Sequence, residues 1–149
     1  RSAQSWSQRT ETTMYENWAV TCRDPADGAE KNCSALLRIF DQSRNVAVFT
    51  WLIGRNADGD LLTVMQTPTS VMIQRGVELR IGDGTVRRMH YNACIPENCE
   101  AILVMDDAVS EELMANPTAT ATIVAVNGQS INFNVILKGV DQALDAVTR

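Results

Sequence analysis

Only one histidine, His90, occurs in the 149 residues, so a Ser-His-Asp triad or a histidine-based metal site would have to use it. Aromatic residues are scarce. Three Trp, two Tyr and three Phe leave little for an aromatic-lined pocket once Trp18 and Trp51 are given to the core. No apolar run approaches the ~20 residues that span a bilayer. No apolar stretch follows the polar opening Arg1-Ser2-Ala3-Gln4-Ser5 to form a signal peptide. Positive charge is in deficit: 13 Lys and Arg against 18 Asp and Glu leave −5, which disfavours nucleic acid or an anionic membrane as a general partner. There is no Cys-x-x-Cys, no Met-x-x-Met, no internal repeat and no low-complexity segment.

What is present is two close pairs of cysteines. Cys22 and Cys33 enclose RDPADGAEKN, with Asp-Pro and Asp-Gly turn signals, and Cys94 and Cys99 enclose IPEN. An even count in a small, turn-rich chain reads as two short-loop disulfides, Cys22 with Cys33 and Cys94 with Cys99, and so as a compartment outside the reducing cytosol. Zinc is the competing use, but structural knuckles space their ligands by two to four residues and only the second pair fits. The bridges are structural staples, since neither spacing tunes a thiolate for exchange. On this reading the chain is a mature protein whose export signal has been removed.

Length suits a single domain, expected over 14–149 behind a flexible N-terminal arm over 1–13. Most of the body reads as strand. Tyr15–Arg23 alternates, Ser34–Asp41 and Val46–Gly54 follow, and the VAVFTWLIG of the latter is apolar on both faces, as in a strand at the middle of a fold. Leu61–Gln66 comes next. Pro68 then breaks the pattern, making Val71–Gln74 a short edge segment. Val77, Leu79 and Ile81 alternate with Glu78 and Arg80 and pair with Val86–Ala93, Val77 opposite Met89 and Glu78 opposite Arg88. Ala101–Met105 is another strand, and 107–116 is a short helix with acidic residues in its first turn. Asn127-Gly128 joins Thr120–Val126 to Ser130–Leu137 by a two-residue loop, with Val124 opposite Ile131 and Thr122 opposite Phe133. Val140, Ala143, Leu144 and Val147 give an amphipathic helix near 139–147. The fold class is all-β, a β-sandwich or partly open barrel, with these two helices.

Taken in order, Trp18-Ala19-Val20-Thr21-Cys22, the run Thr67-Pro68-Thr69-Ser70-Val71-Met72-Ile73-Gln74-Arg75-Gly76-Val77-Glu78-Leu79-Arg80-Ile81, Cys94-Ile95-Pro96-Glu97-Asn98-Cys99-Glu100-Ala101, and Leu137-Lys138-Gly139-Val140 with Ala143-Leu144 resemble the invasion-associated locus B family of Gram-negative bacteria. The resemblance runs from about Trp18 to Val147 and rests on the ordered combination. Three departures are visible: Asn98 where the family commonly has Gly, Pro68-Thr69-Ser70 for Pro-x-Gly, and Gly139-Val140 for Gly-Phe. The resemblance implies an exported β-rich protein of the periplasm or outer membrane, linked in pathogens to host-cell entry. It supplies no catalytic residues to carry over.

Candidate chemistry is thin. His90 alternates with Met89 and Tyr91 and lies on the polar side of its strand, as a surface residue. Asp106-Asp107 and Glu111-Glu112 are helix-start acids that suit capping. Asn56-Ala57-Asp58-Gly59-Asp60 lacks the ligand spacing and closing Glu of a calcium loop. The methionines sit at apolar strand positions and fill the core. Arg80 and Arg88 are candidate anion contacts, with pairing to Glu78 and Asp83 as the plainer alternative. Val71 and Ile73 form the candidate partner edge. No catalytic, metal or cofactor residue is assigned. The expected function is non-enzymatic binding of an envelope or host protein; the alternative is a periplasmic binding module for a small-molecule or glycan ligand.

Overall fold

Alternation of inward apolar and outward polar side chains writes most of the chain as strand. The computed structural model describes residues 9–24 and 31–149. Within them lie β1 (Arg9–Tyr15), β2 (Trp18–Asp24), β3 (Asn32–Asp41), β4 (Val46–Arg55), β5 (Leu61–Thr67), β6 (Val77–Ile81), β7 (Arg87–Cys94), β8 (Cys99–Val104), α1 (Asp107–Ala115), β9 (Thr118–Val124), β10 (Ser130–Ile136) and α2 (Val140–Thr148). These ten strands form one sheet in the order β1-β2-β3-β4-β5-β8-β7-β6-β9-β10. Every neighbouring pair is antiparallel.

The sheet is curled. Phe49 of β4 stacks on Phe133 of β10 with ring centroids 4.8 Å apart, although the two strands stand six places apart in the sheet. Inside the curl, Trp18 and Trp51 meet edge to face at 5.6 Å, and Ile53, Met65, Leu79 and Met89 are fully buried around them. α2 lies against β1 to β4 and buries Val140, Ala143, Leu144, Ala146 and Val147, the stripe that its i, i+3, i+4, i+7 spacing announces. Asp106 caps α1, its carboxylate accepting the Val109 N–H at 2.9 Å. Glu112 of α1 accepts from both terminal guanidinium nitrogens of Arg87, at 2.7 and 2.6 Å, and so ties the helix to β7. The result is a partly open barrel: β1 and β10 end the sheet, and neither pairs with the other.

Four local expectations change. The loose arm over 1–13 is described only from Arg9, where it is strand: β1 pairs along its whole length with β2, from Arg9 opposite Asp24 to Tyr15 opposite Trp18. The first eight residues lie outside the described residues. Tyr15–Arg23 is accordingly two strands, divided at Glu16, whose φ is +57°. The edge segment Val71–Gln74 is not a strand. Val71 makes one bridge to Ala125 with its side chain buried, and Ile73–Arg75 is a 3-10 turn.

The β9–β10 hairpin is one residue out of the expected register, with Thr122 opposite Asn132 and Phe133 opposite Ala121. Its loop has three residues. Gly128 N–H bonds the Ala125 carbonyl at 2.8 Å, and Gly128 has φ +90°, a type I turn closed by a left-handed glycine. That register sets the bulky Phe133 against Ala121 and lets Thr122 and Thr120 donate to Asn132 and Asn134 at 2.7 and 3.2 Å. In the other hairpin Val77 faces Met89 and Glu78 faces Arg88, as expected, with pairing ending at Leu79 opposite Arg87. Beyond it, Arg80 and Ile81 continue against β9 alone.

Gly139 opens α2 at φ +94°, and a Cβ there would drive into the Tyr15 carbonyl. Gly139→Ala is expected to cost roughly 2–4 kcal/mol, combining left-handed strain with overpacking. Gly128→Ala, equally left-handed but with open space around it, is expected to cost only about 1 kcal/mol. Urea unfolding of both variants checks the difference.

Candidate functional site

The cysteines pair as the spacing implied: Cys22 with Cys33 and Cys94 with Cys99, and no thiol is free. Each bridge joins residues directly opposite one another on neighbouring strands, the first across β2–β3 and the second across β7–β8. Both staple hairpins.

Of the acids that the sequence offered, Glu112 is ion-paired to Arg87 and Asp106 lies near enough to act on both. His90 is exposed on the outer face of β7, opposite Ile102 of β8. Among the described residues no three of His, Cys, Asp and Glu gather closely enough to hold a metal ion. The Tyr91 hydroxyl lies inside the curl, 2.9 Å from the Thr67 hydroxyl; burial pushes its pKa up, more than the Thr67 bond draws it down. Asn56 Oδ1 accepts the N–H groups of Asp58 and Asp60 at 3.0 and 2.9 Å, so that loop is an Asx turn. Of the two candidate anion contacts, Arg88 donates to Glu78 at 3.2 Å, while Arg80 is exposed and makes no ion pair among the described residues. Val71 and Ile73 provide no strand edge, as the bridge and the 3-10 turn show.

The feature that brings interaction chemistry together is one the sequence did not announce: the seam of the barrel. β2 begins at Trp18 and is paired with β3 only as far as Leu36, so Leu37–Asp41 of β3 has β4 as its one described partner. On the far side stands β10, paired only with β9 among the described residues. The bonds from Ala125 N–H to the Gln129 carbonyl and from Leu137 N–H to the Pro117 carbonyl fix which residues of β10 point their backbone at β9. They are the odd-numbered ones. Backbone groups of Asn132, Asn134 and Ile136 therefore point away from β9, toward the opening.

Between these two edges runs a groove of about 470 Å³. Its walls are consecutive residues, 36–40 of β3 and 134–136 of β10. Consecutive lining means that strand edges, and not strand faces, border the space. Met14, Phe40 and Ile136 stand 60 %, 50 % and 60 % exposed at its rim. Arg38 is the one charged residue among the described lining, and it makes no ion pair among the described residues. A neighbouring, more polar groove shares Arg38 and Phe40 and extends to Glu97.

Just beyond Phe40, Asp41 anchors the β3–β4 turn. Its carboxylate accepts the Ser43 hydroxyl and N–H at 2.7 and 3.0 Å and Arg44 Nε at 2.9 Å. Those bonds, Ser43 first, hold the Asp41 pKa down at about 2.

An all-β half-barrel with stapled hairpins and two unpaired edges defines a class of fold, and comparison with known proteins gives the family. Residues 18–148 match the family described as Invasion associated locus B (IalB) protein. The chain belongs to that family. An invasion protein B homolog of Brucella abortus (strain 2308) is 25 % identical over 137 residues, covering 89 % of this chain and 76 % of the relative. Its counterpart in Brucella abortus biovar 1 (strain 9-941) matches to the same extent. The crystal structure of invasion associated protein B from Bartonella henselae superposes with a TM-score of 0.77 at 22 % identity, over 92 % of this chain and 95 % of that one, and shows the same fold.

His90→Ala should leave fold and partner binding unchanged, checked by circular dichroism and a binding assay; loss of either would give the imidazole a role its exposed position does not suggest. Asp41 supplies a pH test. Its folded pKa lies below the ordinary value of 3.8, so the turn's contribution is complete above that pH and is lost as pH falls through about 2. A carbon-13 titration should place the Asp41 carboxyl midpoint near 2, and a midpoint near 4 would show that the turn is not formed as described.

Proposed function

We propose that this protein is exported to the bacterial envelope, in the periplasm or at the outer membrane, and acts there by binding another protein, turning over no substrate. One observation carries the binding reading. Two unpaired strand edges face each other across an apolar groove, and each displays backbone donors and acceptors that an added strand would satisfy. Exposed apolar side chains at the rim add area that a partner would bury.

Export is supported by the two disulfides, which persist in oxidising compartments. Among the described residues no helix is long and apolar enough to cross a membrane. A role in entry into host cells is supported by family membership and by the names of the Brucella and Bartonella relatives. The non-enzymatic reading rests on the exposed position of His90 and on the absence, among the described residues, of a cluster fit to hold a metal.

A photo-crosslinking side chain placed at Phe40 or Ile136 should give a discrete adduct with an envelope or host protein in intact cells. The same group at Val126, exposed at the β9–β10 hairpin tip, should not. Equal labelling from all three positions would remove the seam as the binding site, and reproducible turnover by the purified protein would overturn the non-enzymatic reading.

A further inference from the structure

We infer that the seam takes an extended peptide segment which inserts between β3 and β10, buries alternate apolar side chains and sets a carboxylate beside Arg38. This rests on the protein-binding reading above and specifies the chemistry of the partner.

The groove's two sides dictate the pattern. Leu37, Ile39 and Val135 point into the barrel, where Leu37 and Val135 are buried. Arg38, Phe40, Asn134 and Ile136 are exposed on the outer side. An inserted strand alternates in the same way, so every second side chain would enter an apolar wall and the others would lie on the outer surface. Backbone groups of Asn134 and Ile136 are turned toward it on one side, and Leu37–Asp41 lacks a second neighbour on the other. A peptide backbone supplies the donors and acceptors that those groups otherwise take from water.

Charge selects among extended peptides. In a chain of net charge −5 the groove holds one cation and, among its described lining, no anion. Arg38 is exposed on the outer side and makes no ion pair among the described residues, in contrast to Arg44, Arg87 and Arg88, each held by a carboxylate. The complement of that arrangement is an acidic residue at an outward position of the inserted strand.

The probe is an end-capped octapeptide alternating valine with threonine, one central threonine replaced by aspartate. Two relatives accompany it: a lysine in place of the aspartate, and the aspartyl peptide N-methylated at every residue, so that neither of its edges can extend a sheet. The aspartyl peptide should shift the amide resonances of residues 37–40 and 134–136 and bind about two- to fivefold tighter than the lysyl peptide, the range of an exposed ion pair. Arg38→Glu should reverse that order. The N-methylated peptide should not bind, and Ile136→Asp should weaken every peptide. Both substituted side chains are exposed, and circular dichroism of the variants checks that the fold is kept. Equal binding of the aspartyl and lysyl peptides, with the N-methylated peptide still failing to bind, would overturn the acidic preference while leaving strand binding in place. Three results would overturn the inserted strand itself: binding of the N-methylated peptide, displacement of the peptides by octanoate, or protection of the same amides by self-association of the protein alone. Failure of all the peptides to bind would overturn it as well.

Discussion

The stacking of Phe133 on Phe49 is the contact on which the shape depends. It draws the last strand of a ten-stranded sheet over the fourth, and a sheet that meets itself in this way must curl around whatever lies within. The interior can then be filled by a few large side chains, Trp18, Trp51, Met65 and Met89 among them, so a chain with so few aromatics still builds a dense core. α2 completes the enclosure on the side of β1 to β4. Phe133, with Val135 and Leu137 buried beside it in the common core, brings β10 toward β3 and so makes the groove.

Curling without closing has a structural cause. β1 and β2 are joined by a tight turn at Glu16-Asn17, so their hairpin stops short of the full length of β3. The upper half of β3 is left with a free edge that β10 does not reach to pair. The openness of the barrel is thus set by where one turn falls.

How much of this could be read from the sequence follows from how local each feature is. The β6–β7 register was legible because a single alignment satisfied both faces, Val77 on Met89 inside and Glu78 on Arg88 outside. The second helix was legible from its apolar spacing, and the first from its acidic cap and the Asn116-Pro117 stop. The cysteine pairs were legible from their proximity and the turn residues between them. The β9–β10 register was not, because Asn127-Gly128 serves a two-residue or a three-residue loop equally. The choice fell to the fit of Phe133 against Ala121 and to the threonine–asparagine pairs outside. The division of Tyr15–Arg23 was hidden because Glu16 is a non-glycine residue in left-handed conformation, without the usual turn signature. The seam was the least legible of all. It belongs to no segment and arises only when two distant edges are brought opposite each other. Attention to Pro68 led instead to Val71 and Ile73, where the chain makes a buried bridge and a 3-10 turn.

The placement of the disulfides gives the covalent graph of the molecule a definite form. Both bonds close hairpins between adjacent strands, β2 with β3 and β7 with β8, and neither ties β10 to the first half of the sheet. Oxidation therefore stiffens these two hairpins and leaves the seam between β3 and β10 held by side-chain packing, without a disulfide across it. A pulling force applied across that seam would meet no disulfide and no described strand pairing, so β3 and β10 could part and rejoin while each bridge stays intact.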